Sequence, residues 1–473
     1  MIAINSKIIK NFFYNSSYQL LLFFLPLITT PYVSRILGAN GIGVYSYYYS
    51  IASYFALFIL LGLNNYGNRT IAYTLNKDEC SKTFCNIYCF QFIMGVLVCC
   101  LYIIYSLFIS ENKYITYIFL IYIISGILDI NWFFAGIQQF KVSVVRNIIV
   151  KVLGTICIFV FVNDSEDIDI YCIIMALSAL FSQILLWPFL YKQIKFIKPQ
   201  FAEIKKHIKP NLALFMTVLA VSLYKIMDKI MLGMMANYNE VGYYESSEKI
   251  INIPLAFVVS LGTVMLPYTT RLISKGVTDN KKLIHISLIF SMILTSALSF
   301  GVMSVADIFV PIFYGKGYDK CIYLYYILMP SCLFLAFANV VRTQYLLPNK
   351  LDKEYIKSAF LGAGINFLIN IILIPKIASI GAAVGTLLAE AFVCVYQCYV
   401  CRNGFNCMKI LKQITPFVAS GILMFSILFN LNINIDNTLL LLATKILSGI
   451  CIYTLALILI WKKLNHLYTD YIK

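Results

Sequence analysis

The feature that most constrains this chain is the recurrence of apolar runs about 20 residues long, the length a helix needs to cross roughly 30 Å of hydrocarbon. Such runs fall at 11–34, 41–65, 84–109, 114–136, 142–163, 168–190 and 211–235. They continue at 243–267, 283–306, 320–341, 355–375, 379–400, 410–430 and 438–461. Charged residues make up 12% of the chain, where a soluble domain carries about 25%. Strand-like alternation between the runs is scarce, which argues against a β-barrel. The expected fold class is therefore an all-α polytopic membrane protein with about fourteen transmembrane helices. Proline inside several runs (Pro26, Pro31, Pro254, Pro330) fits such helices, because neighbours can satisfy the freed carbonyls. The first run is longer than the apolar region of a signal peptide and reads as a retained span.

A net charge of +16 would suit a nucleic-acid binder, but its placement points to topology. With the N-terminus in the cytoplasm, 27 Lys and Arg fall on expected cytoplasmic segments and 5 on outside ones (Arg35, Lys113, Lys316, Lys320, Lys376). This bias puts both termini inside and calls for no nucleic acid. The acidic loop Asp164, Glu166, Asp167, Asp169 falls outside.

The most polar connection, around 191–210, divides the chain into two similar parts. Arg35-Ile-Leu-Gly38 leading into Gly43-Val-Tyr45 is echoed by Ile230-Met-Leu-Gly233 leading into Gly242-Tyr-Tyr244. Six helices per part is an even number, so both parts enter from the same side. The expectation is two pseudo-symmetric six-helix bundles, 1–195 and 210–402, around a central cavity, with 196–209 as a basic cytoplasmic linker. Residues 403–473 add helices 13 and 14 and a cytoplasmic tail.

Nucleotide-binding, zinc-protease and serine-hydrolase motifs are absent, so no enzyme and no cofactor is expected. The histidines (His207, His285, His466) sit at expected cytoplasmic edges. A Cys398-x-x-Cys401 pair lacks a second pair or nearby histidines, and no metal site is expected. The informative residues are ionisable groups inside spans, which are expensive there and usually face a bundle interior or a wet cavity. In the first part these are Arg35, Asp129, Arg146 and Lys151, with Arg69 at the end of the second helix. Arg146 and Lys151 are five residues apart, so they point in different directions; a buried pair with Asp129 is the competing explanation for both. On the seventh helix Lys225, Asp228 and Lys229 share a face, suited to an anionic ligand, to an ion-coupled switch, or to a static triad. On the eighth helix Glu245, Glu248 and Lys249 do the same. The run Tyr45, Tyr47, Tyr48, Tyr49 cannot share one helix face, and packing or an interfacial belt accounts for most of it.

The stretches PLITTPYVSRILGANGIGVYSYYYSI (26–51), GLNNYGNRTIA (62–72), WFFAGIQQFKVSVVRNIIVKVLGTICIFVFV (132–162), MDKIMLG with VGYYESSEKI (227–250) and NFLINIILIPKIASIGAAVGTLLAE (366–390) resemble the Wzx-type polysaccharide flippases of the MOP, MATE-like superfamily. The resemblance spans nearly the whole chain in order. It implies a two-lobed fold and a cargo of undecaprenyl-pyrophosphate-linked oligosaccharide (O-antigen or capsule repeat units) carried across the bacterial inner membrane. Alternating access, coupled to a proton or sodium gradient, would drive it. Partners would be membrane lipids and the polymerase and chain-length regulator of polymer assembly. Arg35, Arg69, Arg146, Lys151, Lys225 and Lys229 become candidate cavity cations; Asp129, Asp228, Glu245 and Glu248 become candidates for a charge switch. One departure is glutamine within residues 136–140, where the family carries Glu in a Gly-x-Glu-x-Phe segment. A MATE-type exporter of small cations is the rival reading, but it would favour a more acidic cavity. A polymerase or ligase would be expected to carry a long outside loop.

Overall fold

The computed structural model describes residues 6–274, 281–402, 407–431 and 435–464, and every regular element among them is helical. The chain forms two compact units, Met1–Ile230 and Met231–Lys473.

The first unit holds α1 (Ser6–Leu60), α2 (Leu63–Ala72), α3 (Lys77–Phe108), α4 (Lys113–Ile127), α5 (Asn131–Gly136), α6 (Phe140–Phe161), α7 (Ile168–Ile184), α8 (Trp187–Leu190) and most of α9 (Phe201–Met235). In the second are α10 (Tyr238–Ser274), α11 (Lys281–Tyr314), α12 (Lys320–Leu328), α13 (Ser331–Val341) with a π turn at Arg342–Leu346, α14 (Asp352–Ile377), α15 (Ser379–Cys401), α16 (Cys407–Asn430) and α17 (Thr438–Leu464).

Among the described residues twelve segments are long and apolar enough to cross a membrane, and the bent α9 makes up to 13. The difference from about fourteen lies at the start. The first two expected spans run together in α1, which is broken only at Gly38 (φ 65°, ψ −177°). That left-handed φ suits glycine, since a Cβ there would cost about 1 kcal/mol or more. A second difference concerns the expected linker 196–209: α9 already begins at Phe201. Its Ile204 and Ile208 pack with Leu61, Phe90 and Phe215. Ile204 and Ile208 are one helical turn apart, and this apolar stripe turns a lysine-rich stretch into helix.

The buried faces mix apolar and polar side chains, and the outer faces are apolar. On α3 the buried stripe is Phe84, Ile87, Gln91, Val98, Tyr102 and Ser106. The opposite stripe, Ile93, Leu97, Leu101, Ile104 and Phe108, is exposed, as lipid-facing helices require. In the second unit α14 and α15 pack through small residues. A Cβ on Gly381 would lie 2.6 Å from the Leu373 carbonyl carbon. Gly381, Gly385 and Ala389 recur every four residues, the spacing that lets two membrane helices approach closely.

Chain breaks are matched by dedicated side chains. Between α4 and α5 four carbonyls lose their helical partners. Gln91, fully buried on α3, donates through Nε2 to the carbonyls of Gly126 (3.0 Å), Ile127 (3.2 Å) and Asp129 (2.8 Å). Trp187 Nε1 donates to Leu128 (3.2 Å), and Gln91 Oε1 accepts from Trp132 Nε1 (3.0 Å). In the second unit, buried Glu240 accepts from Lys320 Nζ (2.6 Å), Ser379 N (3.1 Å) and Ser379 Oγ (2.5 Å). It thereby joins the starts of α10, α12 and α15, three chain reversals that the charge bias puts on one side.

Gln91→Leu removes the side-chain donor from the Ile127 and Asp129 carbonyls and the acceptor from the Trp132 N–H, and leaves the Gly126 carbonyl with a long contact from Asp129 N (3.4 Å). At about 1–3 kcal/mol for each orphaned group, the variant should unfold at clearly lower temperature in detergent; an unchanged thermal midpoint would refute this role for Gln91.

Candidate functional site

The polar centre of the first unit starts at the α4–α5 break. Asp129 Oδ1 accepts from the backbone N–H of Asn131 (2.9 Å) and from its Nδ2 (2.7 Å), so the carboxylate opens α5 as a capping group. Asn131 Nδ2 also reaches Gln183 Oε1 on α7 (3.1 Å). Arg146 on α6 completes the cluster. Its Nη2 donates to Asn131 Oδ1 (2.9 Å) and Asn147 Oδ1 (2.6 Å). Its Nη1 donates to Gln183 Oε1 (3.2 Å) and to the Ser182 carbonyl. The guanidinium fork thus holds α5, α6 and α7 together, and Arg146 is only 5% exposed. Asp129 and Arg146 carry opposite charges at the two ends of an amide relay through Asn131. Five donors in a rigid fork suit this task where a lysine would not.

Lys151, on the same helix, has the opposite environment. It is exposed, and no hydrogen bond or ion pair reaches it among the described residues. It lies midway along the span Lys141–Phe161, about 15 Å from either end at 1.5 Å per residue. A lone ammonium at that depth costs about 2.5–3.5 kcal/mol even on the mildest scale, so it needs water or an anion beside it.

The other candidates scatter. Arg35 is exposed on α1 and holds a polar partner. Arg69 is exposed in the last turn of α2, where the helix dipole favours a cation. α9 bends by 49° between its segments Phe201–Leu223 and Ile226–Met235. Tyr54 OH reaches the Ser222 (3.2 Å) and Leu223 (3.3 Å) carbonyls at that bend. Just beyond it, Asp228 is buried and Lys229 half-buried, both engaged; the Lys225 side chain lies outside the described residues. In the second unit Glu245 pairs with Lys249 at 3.7 Å, and Glu248 is half-buried with a partner of its own. Of the ten candidates, then, hydrogen bonds gather Asp129 and Arg146 into one cluster.

A family model described as "Polysaccharide biosynthesis protein" matches residues 8–273, more than half of the chain. The chain belongs to the polysaccharide biosynthesis protein family. Among its relatives is a "Putative O-antigen transporter" of Escherichia coli (strain K12), 23% identical over 81% of this chain and 94% of that protein. Another, "Probable low-salt glycan biosynthesis flippase Agl15" of Haloferax volcanii, is 22% identical over 62% of each chain. The solved structure of lipid II flippase MurJ in an inward closed conformation superposes with a TM-score of 0.75 at 15% identity, covering 95% of this chain and 99% of that one. An inward-facing MATE family transporter of the MOP superfamily follows with a TM-score of 0.58 at 11% identity, over 83% and 95% of the two chains. This polysaccharide biosynthesis protein is therefore a multi-pass membrane protein that shares its fold with MurJ and with the MATE transporter.

Several polar residues of this family member carry no charge and do not stand out in the sequence. Asn131, Asn147 and Gln183 accept from the two Nη groups of Arg146, and Asn366 and Asn370 lie buried on α14. Amides inside apolar runs were the available signal. Glu240 was hidden by its place at a loop. The tyrosine run serves packing: Tyr45 stacks on Tyr49 (centroids 5.5 Å) and meets Tyr171 edge-on, while Tyr48 OH accepts from Asn112 N (3.1 Å).

The contrast along α6 has a measurable consequence. Arg146→Ala leaves several buried oxygens without donors and should destabilise the fold by about 3 kcal/mol or more, seen as low yield and a lower unfolding temperature. Lys151→Ala should leave both unchanged. Equal thermal stability of the two variants would overturn the division of roles.

Proposed function

We propose that this protein is a flippase that moves undecaprenyl-pyrophosphate-linked oligosaccharide repeat units, precursors of O-antigen or capsule, across the bacterial inner membrane. The reading rests on the family, on a relative of transporter type matched over almost its entire length, and above all on Lys151. A pyrophosphate cannot enter hydrocarbon unaided, and a lone mid-span ammonium is a group whose cost an anionic cargo would offset. In this mechanism the two lobes alternate between inward-open and outward-open states, the sugars and pyrophosphate travel in a wet cavity, and the polyprenyl tail stays in lipid. Lys151 meets the pyrophosphate during transit, with Arg35, Arg69, Lys225 and Lys229 as further cations on the route. Arg146 acts one step back, by keeping α5, α6 and α7 in register. Both termini face the cytoplasm, in keeping with the charge bias. A polymerase and a chain-length regulator would take over the delivered units.

Asp228 is the favoured coupling acid, because it is a buried carboxylate beside a helix bend. Protonation there would bias the two states against each other, with Glu245, Glu248 and Asp129 as secondary candidates. Asp228→Asn should abolish the dependence of transport on the proton or sodium gradient; unaltered gradient dependence in the variant would remove it from the mechanism.

The decisive experiment is deletion of the gene followed by complementation. Surface polymer should disappear, single lipid-linked units should accumulate on the cytoplasmic leaflet, and wild type should restore the polymer. Lys151→Ala, which folds, should restore less than about a tenth of it, the effect of losing a charge-assisted contact worth about 1.5–3 kcal/mol. Normal polymer in a deletion strain with no second flippase would sink the reading and favour export of small cations.

A further inference from the structure

The segment between α8 and the body of α9 does more than connect them. Residues 194–200 run extended along the first turns of α3 and are fastened to it by side chains. Ser81 Oγ accepts from Lys195 N (3.1 Å), Cys85 Sγ from Ile197 N (3.4 Å), and Asn86 Oδ1 from Gln200 N (3.0 Å). Ile194 and Ile197 point into the core beneath, and Ile204 and Ile208 continue that inner edge on α9. His207 also turns inward, with Nδ1 2.6 Å from Tyr66 OH, while the large rings and the lysines are turned outward. Tyr191, Phe196 and Phe201 are 65%, 54% and 80% exposed. Tyr191 and Phe196 pack against each other with ring centroids 5.3 Å apart. Six exposed lysines accompany them: Lys192, Lys195, Lys198, Lys205, Lys206 and Lys209. Lys195 faces Asp78 at 3.7 Å and Lys206 faces Glu203 at 2.5 Å, while Glu79 is taken up by the backbone N–H of Leu75. Among the described residues no carboxylate lies within ion-pair distance of the other four lysines.

The depth of this strip follows from α3. The first exposed large apolar residue on that helix is Phe92, which marks where lipid tails begin. The anchoring residues Ser81, Cys85 and Asn86 lie about 9–16 Å further back at 1.5 Å per residue. That begins just outside the headgroup layer, which is roughly 5–8 Å thick on each side, a level from which lysine side chains reach back to headgroup phosphates. Half-apolar rings with lysines around them, held rigidly at this level, have the composition of an interfacial docking surface. The lysines are strung along the strip rather than converging on a point, which suits many headgroups and not one small anion.

We propose that residues 191–209 form a docking surface for anionic phospholipids, with the aromatic rings seated at the headgroup boundary and the lysines paired to headgroup phosphates. The surface holds the first unit against its leaflet. It is independent of the cargo: failure of the test below leaves the flippase reading intact, and failure of that reading leaves this one intact.

The full chain, purified in a non-ionic detergent, is titrated with fluorescent short-chain phosphatidylglycerol, with phosphatidylcholine as the neutral control. Wild type should prefer phosphatidylglycerol, with a preference that fades at high salt. The triple variant Lys192→Gln, Lys195→Gln, Lys198→Gln should bind it roughly a hundred-fold more weakly, at about five-fold per lysine. The corresponding triple Lys→Arg variant should bind as wild type, and all three proteins should unfold at the same temperature. Equal affinity of wild type and the glutamine variant, or equal binding of the two lipids, would overturn the proposal. Displacement of the lipid by an equal concentration of inorganic pyrophosphate would also overturn it, in favour of a soluble-anion site.

Discussion

A backbone N–H or C=O in hydrocarbon has no water to turn to, and the architecture of this protein follows from that. Continuous helix solves the problem for most of the chain; what remains are the places where a helix must stop or bend. Three such places carry a polar side chain from another helix. Gln91 and Trp187 take the four carbonyls at the end of α4, Tyr54 takes two at the bend of α9, and Glu240 closes the start of α15. The polar groups Gln91, Tyr102 and Ser106 on the inner side of α3 and the apolar stripe on its outer side are two consequences of the same solvent.

The same reasoning separates charges that hold the fold from charges that are left over. Arg146 and Lys151 are five residues apart on one helix, and by composition alone they look alike. The first has its fork filled by four oxygens from three helices; the second has none. A buried cation surrounded by oxygen acceptors is a fastening between helices. A cation at mid-span without acceptors is a group that awaits an anion or water, and it is the residue to which a negatively charged cargo would be drawn. Asp129, a candidate for a charge switch, also accepts from the first N–H of α5 through Oδ1.

The fold likeness to MurJ persists at 15% identity, which has a simple physical basis. Lipid-facing positions accept any apolar side chain, so most of the surface carries little sequence constraint. Positions that do constrain the fold include the small residues at α14–α15, Gln91, Arg146, Glu240 and Gly38.

From its sequence alone, this chain revealed its class, its approximate helix boundaries, its family and the direction of its charge bias, because run length, composition and loop charge act locally and survive without a partner. The merging of the first two spans at Gly38 was not legible, since a single φ value decides between a loop and a kink. Nor was the docking of 194–200 along α3, where the acceptors Ser81, Cys85 and Asn86 are more than a hundred residues away in the chain. The site was legible as a set of charges and not as an arrangement. Which charge is neutralised depends on uncharged amides brought in from other helices, and only tertiary structure decides where an Asn or Gln inside an apolar run will point.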